Sequence, residues 1–396
     1  MMTLYKNALV WQDSRFLPKD ILIEGESILR VEAGIEAHED VNVVDLTGKY
    51  VVPGLIECHA HLCMNGGNMP MTVMHNSNTS QILMECMHSM EKLLHAGITT
   101  VRDCGSTGME VIALRDEVEK GRFEGPRIVS CGMAIKMTGG HFTGKIVDSP
   151  YEARKAAREL IHDGAQFLKF MGSGGLGREG EEPGVSELEV DEMRAAIEQG
   201  EKYGMASAVH CHGKQSILNA LEAGATSIEH CSFMDEEVIE KLLEKGSYIV
   251  PTFTPYVRIA ENGTVPGTWL TPFVVRTAAE VNERKGRQFS NACKAGVKIA
   301  FGRDCGATYT PHEDFLFEMK QMESYGMSRG DILNSATITA AENLRMQDKI
   351  GSITPGKLAD LLVLSGNPMD DLANLTQAEL ILKGGVTVHG SGIVSA

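Results

Sequence analysis

The chain has 396 residues, 43% of them hydrophobic and 23% charged, and a net charge of −16. That size and composition fit a globular protein with one large and one smaller domain, and the acidic balance argues against a nucleic-acid partner. No stretch approaches the ~20 apolar residues of a membrane span, so no membrane partner is expected.

Leu4–Trp11, Asp20–Glu24, Ser27–Glu32 and Val41–Asp45 read as strands, with turn signals at Pro18-Lys19-Asp20 and Gly25-Glu26. The N-terminal Met-Met-Thr-Leu-Tyr-Lys-Asn lacks the apolar core of a signal peptide. Nine scattered cysteines without a Cys-x-x-Cys pair form neither a disulfide framework nor a zinc ribbon, so a cytoplasmic location is expected. Next comes Val51-Val52-Pro53-Gly54-Leu55-Ile56-Glu57-Cys58-His59-Ala60-His61, an apolar run that breaks at Pro-Gly, restarts and ends in two histidines. Alternate residues of a strand share a face, so His59 and His61 project together, as metal ligands do.

The chain then alternates. Apolar, β-rich runs stand at Ile98–Asp103, Arg127–Ala134, Phe167–Met171, Ala206–His212, Ser227–Phe233, Tyr248–Thr254 and Lys298–Asp304. Between them lie amphipathic helical stretches, Ile82–His95, Tyr151–Asp163, Glu189–Tyr203, Gln215–Ala223, Glu236–Lys245 and Thr277–Ala295. Gly97, Gly164, Gly204, Gly224, Gly246 and Gly296 stand where C-cap glycines close helices. With the His59 strand there are eight strands, which predicts an α/β fold of the (β/α)8 TIM-barrel type. A doubly wound open sheet is the alternative, but no Gly-x-Gly-x-x-Gly follows the first strand. The C-terminus returns to strands at Gly356–Leu364, Leu380–Lys383 and Val386–His389, the last two flanking Gly384-Gly385 as a hairpin. Both termini are therefore expected to build one small β-sandwich domain (1–52 and 352–396) beside a barrel of residues 53–351.

In such barrels chemistry sits at the C-terminal ends of the strands. Strand 1 ends in His59 and His61, strand 5 in His210-Cys211-His212, strand 6 in His230 and strand 8 in Asp304, while strand 4 carries Lys169 inside an apolar run. A single buried histidine is more often a hydrogen-bonded core residue than a ligand, and Asp304 alone reads equally as a turn carboxylate. A lysine in an apolar strand is rarer, because burying an ammonium is costly. Carboxylation by CO2 accounts for it, since a carbamate is anionic and bridges two cations. Five such coincidences at strand ends make the metal reading the stronger one.

These motifs, with VVPGLIECHAHL and the Gly351–Leu364 segment GSITPGKLADLLVL, resemble the amidohydrolase superfamily in its binuclear-metal form, over essentially the whole chain. Thr138-Gly139-Gly140-His141, Phe167-Leu168-Lys169, Val209-His210-Cys211-His212-Gly213 and Ser227-Ile228-Glu229-His230-Cys231-Ser232 are similar to a metallo-dipeptidase branch. That branch holds prolidase-like and Xaa-Arg/Lys carboxypeptidase-like enzymes, with ochratoxin-hydrolysing amidases as relatives. The resemblance implies that His59, His61 and Asp304 hold the more buried of two divalent ions, zinc first with manganese or cobalt as options. His210 and His230 would hold the other, and carboxylated Lys169 would bridge them. A hydroxide bridging the metals would attack the amide carbonyl, with Asp304 as general base and then acid. His141 would meet the substrate's α-carboxylate or scissile carbonyl. Tyr256 would bind the carboxylate, or is a plain loop aromatic; His212 would bind substrate, or only hydrogen-bond backbone. The family often has Gly-Thr-Asp where this chain has Gly302-Arg303-Asp304, so Arg303 is expected to change the packing beneath the aspartate.

The implied activity is metal-dependent amide hydrolysis of L-Xaa-L-Xaa dipeptides or N-acyl amino acids. The alternatives are an amidase of aromatic amino-acid conjugates of the ochratoxin type and a cyclic-amide hydrolase resembling imidazolonepropionases. The latter, like a deaminase, generally works with one metal and lacks the strand-4 lysine. A barrel that has lost its chemistry is disfavoured because every ligand position is filled. Met64, Asn65, His75, Arg178 and Tyr256 are candidate pocket residues. The glycine-rich, acidic loop 172–184 reads as a lid or as a solvated loop; its acidity hints at an Arg or Lys leaving residue, with a neutral residue weighed above it. Trp269–Phe273 reads as a subunit interface or as helix packing, and the family implies a homo-oligomer.

Overall fold

A computed structural model describes residues 2–176, 181–263, 265 and 268–390. The Pro53-Gly54 break is where the chain passes from one sheet to another: Tyr50–Pro53 lies in an eight-stranded sheet and Leu55–Ala60 in a parallel one. Only Gly54 separates them. A Cβ there would sit 2.1 Å from Thr99 Oγ1, so this close approach requires glycine.

The eight-stranded sheet is built from both ends of the chain. Its order runs Val386–Gly390, Ala378–Lys383, Leu361–Leu364, Tyr50–Pro53, Met2–Gln12, Arg15–Glu24, Ser27–Glu32, with Val41–Asp45 parallel to Met2–Gln12. Tyr50–Pro53 thus pairs on one side with residues near the N-terminus and on the other with Leu361–Leu364, Val52 opposite Leu362. The sheet has its own core, including Val10, Ile21, Val44, Val51, Leu361 and Leu382. The first hairpin turns at Asp13-Ser14, both at positive φ, not at Pro18. Pro18 lies inside Arg15–Glu24, opposite Leu9, where the third strand has not yet joined and no ladder donor is needed.

The remaining strands are parallel. One set comprises Leu55–Ala60, Ile98–Asp103 and Arg127–Ser130. The other runs Gly144–Ile146, Ala134–Lys136, Leu168–Met171, Ser207–Cys211, Ser227–His230, Tyr248–Val250, Lys298–Ile299. Backbone bonds link the two sets: Cys58 N donates to Phe301 O (2.9 Å) and Cys305 N to His59 O (3.1 Å), while Gln166 N donates to Ser130 O (2.9 Å). Every residue of Leu55–Ala60, Leu168–Met171, Ser207–Cys211 and Ser227–His230 is buried, as in a parallel sheet covered by helices. The architecture is TIM-barrel-like α/β.

The helices follow their local signals. Asn78 and Gln81 form a capping box before Thr79–His95, Ser149 caps Pro150–His162 and Asp235 caps Glu236–Lys245. The six helix-closing glycines all adopt positive φ, from 66° to 99°. The expected Arg127–Ala134 strand is two strands, broken at Gly132 (φ 68°). The expected last strand is regular only at Lys298–Ile299, its remainder hydrogen-bonding irregularly to Leu55–Ala60. Trp269, Leu270 and Phe273 pack with Ile259, Val274 and Ala278, which favours the helix-packing reading of that run.

Candidate metal centre

The strand-end side chains converge on one cleft. His59, His61, Lys169, His210, His212, His230 and Asp304 line it, together with His141 and Tyr256. Two sets of donor atoms each lie within 4.8 Å of one another: His59, His61 and Asp304, and His210, His212 and His230. In the first, Asp304 Oδ1 is 3.6 Å from His59 Nε2 and 3.5 Å from His61 Nε2. Lys169 Nζ lies 3.4 Å from His59 Nε2 and is fully buried.

The ring nitrogens turned away from the cleft have partners that fix the tautomers. His59 Nδ1–H donates to Glu229 Oε2 (2.7 Å), His61 Nδ1–H to Gly105 O (3.0 Å) and His210 Nε2–H to Gly174 O (3.2 Å). Because carbonyl and carboxylate oxygens only accept, the other nitrogen of each ring keeps its lone pair. His230 Nδ1 meets Thr252 Oγ1 at 2.6 Å and His212 Nδ1 meets Ser232 Oγ at 2.7 Å. Burial is the largest influence on these imidazoles: it lowers His61 to about 4, lowers His59, and takes His210, His212 and His230 well below the usual range. Neutral imidazoles with their second nitrogen tied, beside a carboxylate, are a donor set that suits divalent zinc.

Four residues at these strand ends sit in the left-handed region, His230 (φ 69°), Cys231 (φ 48°), Thr252 (φ 49°) and Asp304 (φ 58°). Threonine is β-branched and strained there, and such strain persists only where the surroundings over-determine the backbone.

Below the cleft lies a layer of buried charge. Glu229 stands between His59 and Arg102, whose Nη2 donates to Glu229 Oε1 (2.7 Å) while its Nε donates to Cys58 O (2.6 Å). Burial works to raise the Glu229 carboxyl, but Arg102 and the His59 contact hold it below the ordinary carboxylate range. A second pair joins the first and last strands: Arg303 Nε donates to Glu57 Oε2 (2.9 Å), and Glu57 Oε1 accepts from His59 N (2.9 Å) and Arg303 N (3.1 Å). The expected change beneath Asp304 therefore takes the form of an ion pair holding the backbone of His59. Glu229 with His59 and Cys104 also forms a donor cluster, but its oxygens already bind Arg102, Ser227 and His59. Arg102→Met is expected to destabilise the fold by about 3–5 kcal/mol, since Glu229 would be left buried and uncompensated. Urea unfolding measures this, and a loss under about 1 kcal/mol would refute it.

His141 faces the second histidine set. Its ring stacks on His210 with centroids 4.4 Å apart, Nδ1 pairs with Glu181 Oε1 at 2.5 Å, and both Glu187 oxygens accept its backbone N–H. A Cβ on Gly175 would lie 2.4 Å from this ring, so the glycine-rich loop runs flat against it. Tyr256 is buried, and its hydroxyl meets His212 Nε2 at 3.2 Å. Of the candidate pocket residues, Met64 and Tyr256 line the cleft. Asn65 instead accepts from Gly67 N, His75 is exposed at the end of Pro70–His75, and Arg178 lies outside the described residues, as do the other residues of 177–180 within the 172–184 loop. Sequence reasoning missed Arg102, Glu181, Glu187 and Thr252. Arg102 could have been found, being a charge inside an apolar run as Lys169 is.

The amidohydrolase family model matches residues 50–388. Ochratoxinase of Aspergillus niger is 28% identical over 385 aligned residues, covering 87% of this chain and 76% of that protein. Imidazolonepropionase of Symbiobacterium thermophilum is 26% identical, covering 86% and 80%. Among solved structures, a Xaa-Pro dipeptidase with methionine bound in its active site superposes with a TM-score of 0.89 at 31% identity, over 98% of this chain and 100% of that one. A prolidase complexed with N-methylphosphonate-L-proline superposes with a TM-score of 0.90 at 27% identity, over 99% and 100%.

Proposed function

As this chain belongs to the amidohydrolase family, we propose that it is a two-metal amide hydrolase acting on dipeptides or N-acyl amino acids. The observation that carries the reading is the pair of three-residue donor sets flanking buried Lys169 in one cleft. We read the parallel strands as a (β/α)8 barrel of residues 53–351, and the terminal segments 1–52 and 352–396 as its β-sandwich companion; residues 391–396 lie outside the described residues. Nine free cysteines, eight of them buried, support a reducing, cytoplasmic setting.

His59, His61 and Asp304 would hold one ion and His210 and His230 the other, with Lys169 between them as a carbamate. His212, whose Nε2 already meets Tyr256, serves to set that hydroxyl. When bound, the ions supply Lewis-acid polarisation of the carbonyl and a nucleophilic water at neutral pH. Asp304 takes the proton of the attacking water and passes it to the leaving amine. Its side chain keeps some exposure (16%) while His59 and His61 are sealed, so it is the member of its set open to substrate. His141 is tied through Nδ1 to Glu181 Oε1, which leaves its Nε2 edge to meet a substrate carbonyl or carboxylate oxygen.

The walls above these residues are Met64, Pro70, Met71, Phe142, Leu176 and Ile259. They support a neutral, apolar substrate side chain over a cationic one. The acidic loop gives the latter little support, because its Glu181 already pairs with His141. Aromatic amide conjugates fit the same walls and form the second reading, favoured by the ochratoxinase relative. A panel of L-Xaa-L-Xaa dipeptides and N-acyl amino acids with the zinc-loaded protein tests this. Apolar and aromatic residues are expected to exceed Arg and Lys by roughly 10–100-fold in kcat/KM, the scale of burying one apolar side chain. Failure to cleave any carboxylate-bearing amide would overturn the assignment.

A further inference from the structure

The segment after the seventh barrel strand, residues 251–254, is gripped from two helices. Lys285, on Pro272–Ala295, is fully buried, and its ammonium donates to Pro251 O (2.6 Å) and Thr252 O (3.1 Å). It also lies 4.1 Å from the centre of the Tyr256 ring. Glu318, on Phe315–Ser324, is fully buried as well. Its Oε1 accepts from Phe253 N (2.7 Å), and its Oε2 from Thr254 N (2.7 Å) and Thr254 Oγ1 (2.5 Å). One side chain thus satisfies the carbonyls of this segment and the other its N–H groups. Between them Thr252 is held at φ 49°, a conformation a β-branched residue does not adopt unaided.

That conformation has a direct consequence for His230. Thr252 Oγ1 lies 2.8 Å from Pro251 O and 2.6 Å from His230 Nδ1. A hydroxyl has one proton and a carbonyl accepts only, so the Thr252 proton goes to Pro251 O and the hydroxyl oxygen accepts from His230 Nδ1–H. His230 is then the tautomer with its lone pair on Nε2.

We propose that Lys285 and Glu318 are positioning residues that lock residues 251–254 and, through Thr252, choose the nitrogen His230 presents to the cleft. The proposal rests on the two-metal reading for its functional meaning, but the tautomer does not depend on any ion. Neither residue lines the cleft itself; Glu318 acts through the backbone it holds, and Lys285 through that backbone and the Tyr256 ring.

The test uses histidine side-chain 15N NMR on the metal-free full chain, with zinc titrated into the same samples. Wild type and Thr252→Ser are expected to show His230 protonated at Nδ1, and Thr252→Val to lose that state. Lys285→Met and Glu318→Gln are expected to mix the tautomers and to weaken binding of one zinc by about 10–100-fold, the usual effect of losing a group that orients a ligand. Both should raise KM less than they lower kcat. Glu318→Gln keeps the shape of the carboxylate and is informative where Lys285→Met does not fold. A wild-type tautomer with unchanged zinc affinity in Glu318→Gln would overturn the proposal. A wild-type protein that shows the Nδ1–H tautomer yet binds fewer than two zinc ions would instead overturn the two-metal reading and leave the positioning role standing.

Discussion

Asp304→Asn is expected to lower kcat by about 10²–10⁴-fold, the range over which a placed general base acts, while the protein keeps two metal ions per chain. The substitution preserves Oδ1, which lies 3.6 and 3.5 Å from the two imidazole nitrogens, and so preserves a donor at that point. It removes the basicity needed to take a proton. The left-handed backbone at position 304 tolerates asparagine at least as well as aspartate, so a folding defect is not expected. Measured turnover and metal content decide the matter together. Turnover like that of wild type removes Asp304 from proton transfer, and loss of one ion with proportionate loss of activity makes it a ligand only.

Lys169→Met is expected to cut kcat/KM by on the order of 10³-fold, the scale of a single electrostatic group in an enzyme site, and to lower metal content as well. Lys169 is 1% exposed, and its Nζ lies 3.4 Å from His59 Nε2. Carboxylation would convert the position to an anion between the two proposed cations. Methionine fills the space without that charge. Reconstitution of metal-free wild-type protein with zinc is accordingly expected to require bicarbonate. Equal recovery in CO2-free buffer would remove the carbamate from the reading, and undiminished activity in Lys169→Met would remove the lysine from the site altogether.

The reach of the sequence is plain in particular residues. His59, His61, His210 and His230 were legible because parallel strands expose chemistry at their ends and alternate residues share a face. Lys169 was legible because a charge in an apolar run has to be explained. The same logic applied to Arg102 inside Ile98–Asp103, and to Glu229, would have exposed the buried ion pairs under the site. The partnership of His212 with Tyr256 was hidden, since nothing along the chain says that residues 44 positions apart meet. Glu110–Glu119 escaped notice as a helix: Arg115 interrupts its apolar face, and Met109 offers no side-chain cap. The last barrel strand was overread because its pattern persists through Phe301, although beyond Ile299 it bonds as irregular chain. Glu181 stands in the glycine-rich loop and Glu187 just beyond it, both outside regular elements, where periodicity carries no information.

The seam at Gly54 bears on how the protein comes to exist. Tyr50–Pro53, one residue ahead of the strand that carries His59, has its outer edge covered only by Leu361–Leu364. During synthesis that edge waits open while the barrel helices are made, and it closes only after residues beyond 361 emerge. Pairings so distant along the chain are slow to form and leave a strand exposed to intermolecular association in the meantime. Assembly of the first histidine pair is thereby tied to the synthesis of Leu361–Leu364, and a polypeptide released before them would carry Tyr50–Pro53 with no partner on that side.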